Sequence, residues 1–447
     1  MRKIALILIC TIISSSCLAA GNAKLRIKGG NDNEIPIAVK KVTGTDLASF
    51  NIAYKIKKRI IEQLEDTHIF KLEDTRIKQR EERLSLMKTI AAKLKQEMPT
   101  YSELTVILES ESRGRLTARI TLYDLFSEKN VIEETISFPK KDWHRGAAQI
   151  SDLIYKHYTG LVGYINTRLV FISEHGSLFS RKKKIAVMDL YGNNVKYITN
   201  GKNLVLTPRL SPDAKKIIYL SYTSGFPTLY LLDLEKMKSK KLFEFEGMMY
   251  APRFSQDGTK IVLAASYEGN SEIAIYDIKK KKLTRLTHHY AIDTSPDFSP
   301  DGSQVIFSSD RAGGQQLYLI NSDGSNLQRI DLGRGSYATP NWSPDGKYIA
   351  FTKMYKGKFH IGVINMINYD IKILTTSYKD ESPTWAPNSK FIIFSRKKDS
   401  DKNLRRGSNE LFMVNLNGVL IKKIDTPNDA SDPDWVRIEE DIVNEEE

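Results

Sequence analysis

The residue types that most often carry catalysis are not spaced for it in this sequence. Its 447 residues contain no Gly-x-Ser-x-Gly nucleophile elbow, no His-Glu-x-x-His zinc helix and no Gly-x-x-x-x-Gly-Lys-Ser/Thr phosphate loop. His288 and His289 form the one histidine pair, and a metal site would need further ligands from another loop. We therefore expect no enzymatic activity, no metal and no cofactor.

The N-terminal residues have the pattern of an export signal. Two cations precede an apolar run from Ile4 to Ile13, which is too short for a membrane anchor, and small residues follow. Cleavage after Ala19 or Ala20 fits this pattern best. The alternative is lipidation of Cys17, although Ser14 stands where that signal prefers a larger apolar residue. Both cysteines lie in this segment, so the exported chain needs no disulfide.

Composition indicates a soluble globular chain of more than one folding unit. Hydrophobic residues make up 41% and charged residues 27%, and the formal net charge is +13. A basic balance can indicate nucleic acid, but runs such as 182–184 and 279–282 lack the interleaved aromatics of a single-strand groove. We interpret them as solvated strand edges and expect no nucleic-acid partner.

An internal repeat dominates residues 208–435. A Pro-x-Phe/Trp strand followed by a Ser-Pro-Asp-Gly turn recurs with Pro-to-Pro intervals of 44, 44, 44, 43 and 50 residues, and the turn aspartates are interpreted as local backbone acceptors. The copies begin at Pro208, Pro252, Pro296, Pro340, Pro383 and Pro433.

Each repeat predicts four short strands, which is typical of a β-propeller blade. Segments 168–173, 185–189 and 195–199 match the second to fourth strands of a blade that lacks its first strand. The isolated strand Pro433–Val436 supplies it, so the two ends of the repeat region share one blade. The sequence predicts a six-bladed propeller over 161–437, with Trp342, Trp385 and Trp435 in its core.

The preceding segment, 35–160, is predicted to be a small α+β domain. Asp46 is a plausible N-cap for a helix to about Leu64, and Asp142 for a helix to about Tyr158. A further helix is expected at 81–95, and strands at 37–42, 105–108, 115–123 and 131–137. Residues 21–34 are expected to be a mobile leader and residues 438–447 an acidic tail.

The order of these parts resembles the TolB family of the Tol–Pal envelope system along the whole chain. The junction Asp142-Trp-His-Arg-Gly-Ala-Ala-Gln-Ile-Ser-Asp152, with Gly160 and Gly163, is the most specific stretch. The Pro-x-Trp-Ser-Pro-Asp-Gly phrase is weaker, because peptidase-linked propellers also carry it. Ala214, Gln256, Asn388 and Ser389 depart from the phrase in three blades.

The resemblance implies a periplasmic, non-enzymatic docking protein. It would bind the lipoprotein Pal on a propeller face and the inner-membrane protein TolA through the leader, and support outer-membrane invagination during division. The leader residues implied are Lys24, Leu25, Arg26 and Ile27.

The Pal-binding residues are predicted from topology, since the loops that enter the innermost strands emerge on one face around the channel. Met and Tyr on such a rim suit a protein interface. The predicted contacts are Met248, Met249, Tyr250, Ala251, Asp293, Thr294, Tyr337, Thr339 and Glu381, and Thr207 and Tyr290 lie on the same loops.

Two other functions stay open from sequence alone. One is an accessory propeller that binds peptidoglycan fragments or other glycans through its channel. The other is an enzyme with a site in the channel. We expect a monomer that does not span a membrane, and other outer-membrane proteins are further candidate partners.

Overall fold

The computed structural model describes residues 34–74, 102–176, 180–223, 225–377, 379–397 and 408–438. It contains an N-terminal domain of helices and sheet followed by a six-bladed propeller, which confirms the predicted fold class. The predicted signal peptide, leader residues Lys24 to Ile27, the helix expected at 81–95 and the acidic residues 439–447 lie outside the described residues.

A five-stranded mixed sheet forms the N-terminal domain, in the order β2-β1-β3-β4-β5. Strand β1 pairs in parallel with β2 and β3, and the sheet continues antiparallel through β4 and β5. Strand β2 was not predicted, because its alternation of apolar and polar residues covers only Phe70 to Glu73, which is a short strand signal. The strands are β1 (Ile35–Gly44), β2 (Phe70–Asp74), β3 (Ser102–Ser110), β4 (Arg115–Asp124) and β5 (Lys129–Pro139).

Helix α1 (Leu47–Glu65) follows from its cap and its apolar spacing. The Asp46 carboxylate accepts hydrogen bonds from the backbone N–H groups of Ala48 and Ser49, as predicted, and such a cap contributes about 1 kcal/mol. Buried side chains recur at four-residue intervals and face the sheet, at Ile52, Ile56, Ile60 and Leu64.

Helix α2 (Trp143–Thr159) packs beside α1, and its start corrects one prediction. Asp142 occupies the cap position, but its side chain makes no cap hydrogen bond. It ends a 3-10 turn, Lys140–Asp142, with φ −100° and ψ 31°, whereas a capping side chain needs an extended backbone. The helix ends at Gly160, whose φ of 67° is a common helix stop.

The propeller begins with three strands of the blade that both ends of the ring share: β6 (Thr167–His175), β7 (Lys182–Met188) and β8 (Lys196–Tyr197). Five complete antiparallel blades follow, and the innermost strand of each comes first in sequence. Blade 1 comprises β9 (Val205–Leu210), β10 (Lys216–Ser221), β11 (Thr228–Asp233) and β12 (Lys238–Glu244). Blade 2 comprises β13 (Met249–Phe254), β14 (Lys260–Tyr267), β15 (Asn270–Asp277) and β16 (Lys282–Arg285).

The remaining strands repeat this arrangement. Blade 3 comprises β17 (Asp293–Phe298), β18 (Gln304–Ser309), β19 (Gln316–Asn321) and β20 (Gln328–Arg329). Blade 4 comprises β21 (Ser336–Trp342), β22 (Tyr348–Tyr355), β23 (Lys358–Asn365) and β24 (Ile371–Ile373). Blade 5 comprises β25 (Asp380–Trp385), β26 (Phe391–Lys397), β27 (Asn409–Asn415) and β28 (Leu420–Ile424), and β29 (Asp429–Arg437) ends the series.

The ring closes as the sequence predicted. Strand β29 pairs antiparallel with β6, from Asp429 opposite Glu174 to Arg437 opposite Thr167. The Trp435 indole N–H donates to Thr167 Oγ1 at 2.7 Å, and the ring packs edge-on to Tyr164. Trp385 and Trp435 are buried, while Trp342 is half-buried.

The repeated turn is held by its serine and aspartate. In blade 3, Ser299 Oγ donates to Asp301 Oδ1 at 2.6 Å and accepts from the Gln304 backbone N–H at 2.9 Å. Asp301 Oδ1 also accepts from the Ser303 backbone N–H at 3.1 Å, which confirms the local backbone role predicted for the turn aspartates. Ala214 and Ser389, which replace the turn glycine, still adopt positive φ.

The N-terminal domain packs against one face of the propeller, which we call the domain face. The Ser-Pro-Asp-Gly turns lie on this face, and the opposite face, where the innermost strands begin, we call the entry face. Asn388, in the blade 5 turn, donates to Tyr155 Oη of α2 at 3.3 Å. Lys422 and Asp66 form an ion pair at 2.7 Å, and Tyr164 packs on Phe391. The N-terminal residues that the structure describes, 34–74 and 102–166, therefore leave the entry face uncovered.

Asp152 of α2 ties the helix to the first propeller strand. Its two carboxylate oxygens accept the backbone N–H groups of Ile165 and Asn166 at 2.9 Å. Gly163 is required beside it, because a Cβ there would lie 2.1 Å from Asp152 Cγ. Burial raises the pKa of Asp152 from 3.8 to about 6 although these N–H donors favour the charged form.

This raised pKa predicts a pH dependence of stability. Because the folded pKa exceeds the unfolded one, the contribution is fully present below pH 3.8 and is lost as pH rises through about 6. The free energy of unfolding of the native chain, minus that of Asp152→Asn, should fall by about 2 kcal/mol between pH 4 and pH 7. Urea unfolding followed by tryptophan fluorescence at several pH values measures it. If the difference in free energy of unfolding rises with pH instead, the hydrogen bonds from the Ile165 and Asn166 N–H groups affect the pKa of Asp152 more than burial does.

Candidate partner-binding face

Every innermost strand carries the same β-bulge at the residue before its repeat proline. In blade 2, Tyr250 pairs with Ala264 and Arg253 with Val262, so Ala251 and Pro252 together oppose one residue. Proline has no N–H for the ladder, and the bulge is where the ladder lacks a bond. The pre-proline residues all have φ between 45° and 57°: Thr207, Ala251, Ser295, Thr339, Ser382 and Asp432.

The bulge shifts the alternation of side chains by one residue and so decides which side chains line the entry face. Two residues before each bulge, the side chain faces the neighbouring blade and is buried. These positions are Val205, Met249, Asp293, Tyr337, Asp380 and Ala430. One residue before each bulge, the side chain lies on the channel side and is at least partly exposed. These mouth positions are Leu206, Tyr250, Thr294, Ala338, Glu381 and Ser431.

The predicted rim residues therefore separate into two groups. The expectation that they lie in loops is corrected, since all but Met248 lie within innermost strands. Met249, Asp293 and Tyr337 are 0% exposed and are not placed to contact a partner. The structure brings Met248, Tyr250, Ala251, Thr294, Thr339 and Glu381 together around the channel mouth.

The buried acids beneath the mouth brace the strands. Arg311 Nη2 donates to both oxygens of Asp293, at 2.9 and 2.7 Å. In blade 5, Arg396 clamps Asp380 through Nε and Nη2 at 2.7 and 2.9 Å. Paired charges of this kind fix geometry, and removing one partner would leave the other charge buried. Asp293 is therefore a supporting residue of the face.

The entry face has an apolar side. Met248 and Tyr250 are 46% and 36% exposed, although methionine and tyrosine would gain free energy by burial. Further exposed apolar residues at the same ends of blades 1 and 3 were not among the predicted contacts: Leu204, Tyr290 and Ile292. A grouped set of exposed apolar side chains at one end of three blades is typical of a protein-binding surface.

The other side of the entry face is cationic. In blade 4, Lys353 Nζ lies 5.5 Å from the Tyr337 ring and 5.7 Å from the Tyr355 ring, and Lys379 lies over Phe359. Burial raises the pKa of the neighbouring Glu381, which Lys379 and Lys397 oppose. This arrangement suits a partner surface that is apolar at one edge and acidic at the other.

Below the mouth, the six residues that follow the repeat prolines form a polar ring around the channel. The six members are Arg209, Arg253, Asp297, Asn341, Thr384 and Asp434. Asp297 accepts from Asn341 Nδ2 and from the Trp342 N–H at 2.8 Å, and Asp434 accepts from the Leu210 N–H at 2.8 Å. Each of these two carboxylates thereby links its own blade to the next one.

The ring charges are desolvated. Burial raises the pKa of Asp297 and lowers the pKa of Arg209. Arg253 contacts both Asp297 and Asp434, at 3.8 and 3.7 Å. The opposite charges are within reach of each other, so the ring can act as a polar cross-brace of the innermost strands.

Within the described ranges, no group of three or more His, Cys, Asp or Glu side chains could hold a metal ion. His289 is held locally, since its backbone N–H donates to Glu272 at 2.7 Å and its Nδ1 accepts from the Ala291 N–H at 3.1 Å. Across the same residues, no helix is long and apolar enough to cross a membrane.

A family model described as the TolB beta propeller domain matches residues 155–439. The chain is 36% identical over 255 residues to the Tol-Pal system protein TolB of Paramagnetospirillum magneticum, covering 55% of this chain and 56% of that protein. It is 38% identical over 135 residues to the Tol-Pal system protein TolB of Roseobacter denitrificans, covering 30% of each. These alignments span about half or less of the relatives' own lengths.

A solved structure shares the fold. The crystal structure of TolB from Acinetobacter baumannii matches with a TM-score of 0.76, covering 91% of this chain and 97% of that one. The two sequences are 23% identical over the match, so the likeness concerns the fold.

The bulge predicts an unusual contrast between two adjacent residues of β17. Ser295 has φ 51°, which costs an L-residue about 1–2 kcal/mol, so Ser295→Gly should leave the free energy of unfolding unchanged or raise it by up to about 1 kcal/mol. Thr294→Gly, at an ordinary strand position, should lower it by about 1 kcal/mol. Urea unfolding measures both. Equal losses would show that the positive φ carries no cost.

Proposed function

This chain belongs to the TolB family, and from that premise we propose that it is a periplasmic docking protein of the Tol–Pal system. It binds the lipoprotein Pal on the entry face and TolA through leader residues 21–34. Its role is binding rather than catalysis, and it supports outer-membrane integrity and invagination during division. The family match carries the proposal.

The placement of Pal on the entry face rests on what the fold leaves uncovered. The N-terminal domain contacts the domain face through α1 and α2, whereas the entry face presents Met248, Tyr250 and Tyr290 to solvent. Exposed aromatic and methionine side chains are favoured at interface cores. Thr294, Thr339 and Glu381 surround the mouth. They would form the polar rim of the interface around the exposed methionine and tyrosine side chains.

The proposal for TolA concerns Lys24, Leu25, Arg26 and Ile27, which are separated from β1 by the seven residues 28–34. A short segment that alternates cations and branched apolar residues can add to the edge of another protein's sheet. If Pal binding alters access to the leader, linkage requires each partner to change the other's affinity by the same factor.

A double substitution on the entry face tests the Pal proposal. Met248→Glu with Thr294→Glu should weaken binding of the periplasmic domain of Pal at least about 100-fold, because it places two charges at a desolvated contact. Titration calorimetry of the mature chain measures the affinity. Ile367→Glu with Val419→Glu is the matched control, since it adds the same charge at exposed apolar residues of turns on the domain face.

Each result of this titration has a separate meaning. Loss of binding in the first variant alone supports both function and face. Equal affinities in native chain and both variants would keep the function and move the site. Absence of binding by the folded native chain, with heat released by muropeptides instead, would favour the glycan-binding alternative.

Removal of the leader tests the TolA proposal separately. A chain that starts at residue 35 should lose TolA binding, because the contacting residues are gone, and should retain a Pal affinity within a few-fold of the native value. Calorimetry with the periplasmic domain of TolA measures the first effect. Replacement of residues 24–27 alone by Gly-Ser-Gly-Ser should reproduce it, and unchanged TolA affinity in both chains would contradict the proposal.

A further inference from the structure

A second concave surface lies on the N-terminal domain, away from the entry face. It is an open cleft of about 810 Å³ between α1, the 3-10 turn Ser112–Gly114 and the start of α2. Four of the eight residues that line it are cations, and none is a carboxylate. The lining residues are Ile52, Lys55, Gly114, Arg115, Pro139, Lys140, Lys141 and Trp143.

Two cations of this cleft, Arg115 and Lys55, are positioned by uncharged groups, and the Ser137 hydroxyl that accepts from Arg115 also donates to Glu111 Oε2 at 3.3 Å. Arg115 is oriented by neutral groups, since its Nε and Nη2 donate to Ser137 Oγ and Ser137 O at 3.1 and 3.0 Å. Lys55 Nζ lies 5.9 Å from the centre of the Trp143 ring. In the part of the chain that the structure describes, Lys55, Lys140 and Lys141 form no ion pair. A concave site lined by one sign of charge attracts the opposite charge.

The chain leaves the propeller near this cleft. After β29, the Ile438 N–H donates to Asn166 O at 3.2 Å, and Asn166 is itself bound to Asp152 of α2. Nine helical residues separate Asp152 from Trp143, which is about 14 Å along the axis. Residues 439–447 can span roughly 30 Å when extended. They therefore reach the cleft with length to spare.

These nine residues complement the cleft in charge and in hydrophobicity. Their sequence is Glu-Glu-Asp-Ile-Val-Asn-Glu-Glu-Glu, in which six carboxylates flank Ile442 and Val443. The cleft offers four cations around an apolar floor of Ile52, Pro139 and Trp143. We propose that the acidic segment 439–447 docks in this cleft, with its carboxylates on the lysines and its two apolar side chains on the floor.

Tethering makes such a weak contact effective. A short linker raises the local concentration of the segment to the millimolar range, so modest affinity suffices to populate the docked state. The contact is largely ionic and solvent-accessible, so it should weaken at high salt, where the screening length falls to about 3 Å at 1 M. The docked segment would occupy the cationic cleft and keep other acidic chains out of it.

Pulsed electron–electron double resonance tests the proposal on the chain without residues 1–20, which contain both of its cysteines. Spin labels are attached at Ser112→Cys, on the exposed turn beside the cleft, and at Asn444→Cys in the acidic segment. At low salt we expect a short and narrow distance distribution. In 1 M NaCl the distribution should broaden toward longer distances, up to the limit that the length of the acidic segment sets. A broad distribution at low salt would overturn the proposal.

Charge reversal identifies the docking site. Lys140→Glu with Lys141→Glu should broaden the low-salt distribution as 1 M NaCl does. Lys238→Glu with Lys240→Glu makes the same charge change on exposed residues of β12 and should leave it narrow. A narrow distribution that survives the first variant would place the segment elsewhere and refute the proposal. The distance distribution could instead be broad in every chain and at both salt concentrations, while added poly-glutamate quenches the fluorescence of Trp143. This result would overturn the proposal and assign the cleft to a separate acidic partner.

Discussion

The pairing of β29 with β6 is the contact on which the rest of the structure depends. Strand β29 supplies the missing innermost strand of the shared blade, so the ring has no open seam between its first and last strands. It also brings Arg437 to Thr167, directly after the segment that Asp152 holds to α2. Ring closure and attachment of the N-terminal domain therefore occur at the same place, and within the described part of the chain the opposite face stays uncovered.

Local chemistry explains why most of the fold could be predicted. The turn of each blade is encoded by adjacent residues, as Ser299 and Asp301 show, and the period in the forties counts the blades. The absence of a first strand before residue 168 predicts the shared blade. By contrast, β2 depends on its pairing with β1, and the failure of Asp142 to cap depends on its dihedral angles. Neither the strand β2 nor the missing cap hydrogen bond of Asp142 is strongly indicated by the amino-acid sequence.

The candidate site was predicted less completely, for a single geometric reason. Counting alternate residues through a strand assigns its faces only if no residue is inserted, and each innermost strand contains a bulge. Met249, Asp293 and Tyr337 therefore face a neighbouring blade, whereas Leu206, Ala338 and Ser431 reach the mouth. The sequence did contain a signal, since a proline inside a strand indicates a sheet edge or a bulge.

The same bulges affect how the entry face can bind. The mouth residues lie in paired strands, with Tyr250 opposite Ala264 and Thr294 opposite Ser308, so their backbone is ordered before any partner arrives. Binding there need not include the free-energy cost of ordering loops. The positive φ of the pre-proline residue costs about 1–2 kcal/mol at each bulge, and the bulge shifts the alternation of the side chains at that point. Selectivity at this face must then depend on the identity of the mouth side chains, since the backbone beneath them is the same in all six blades.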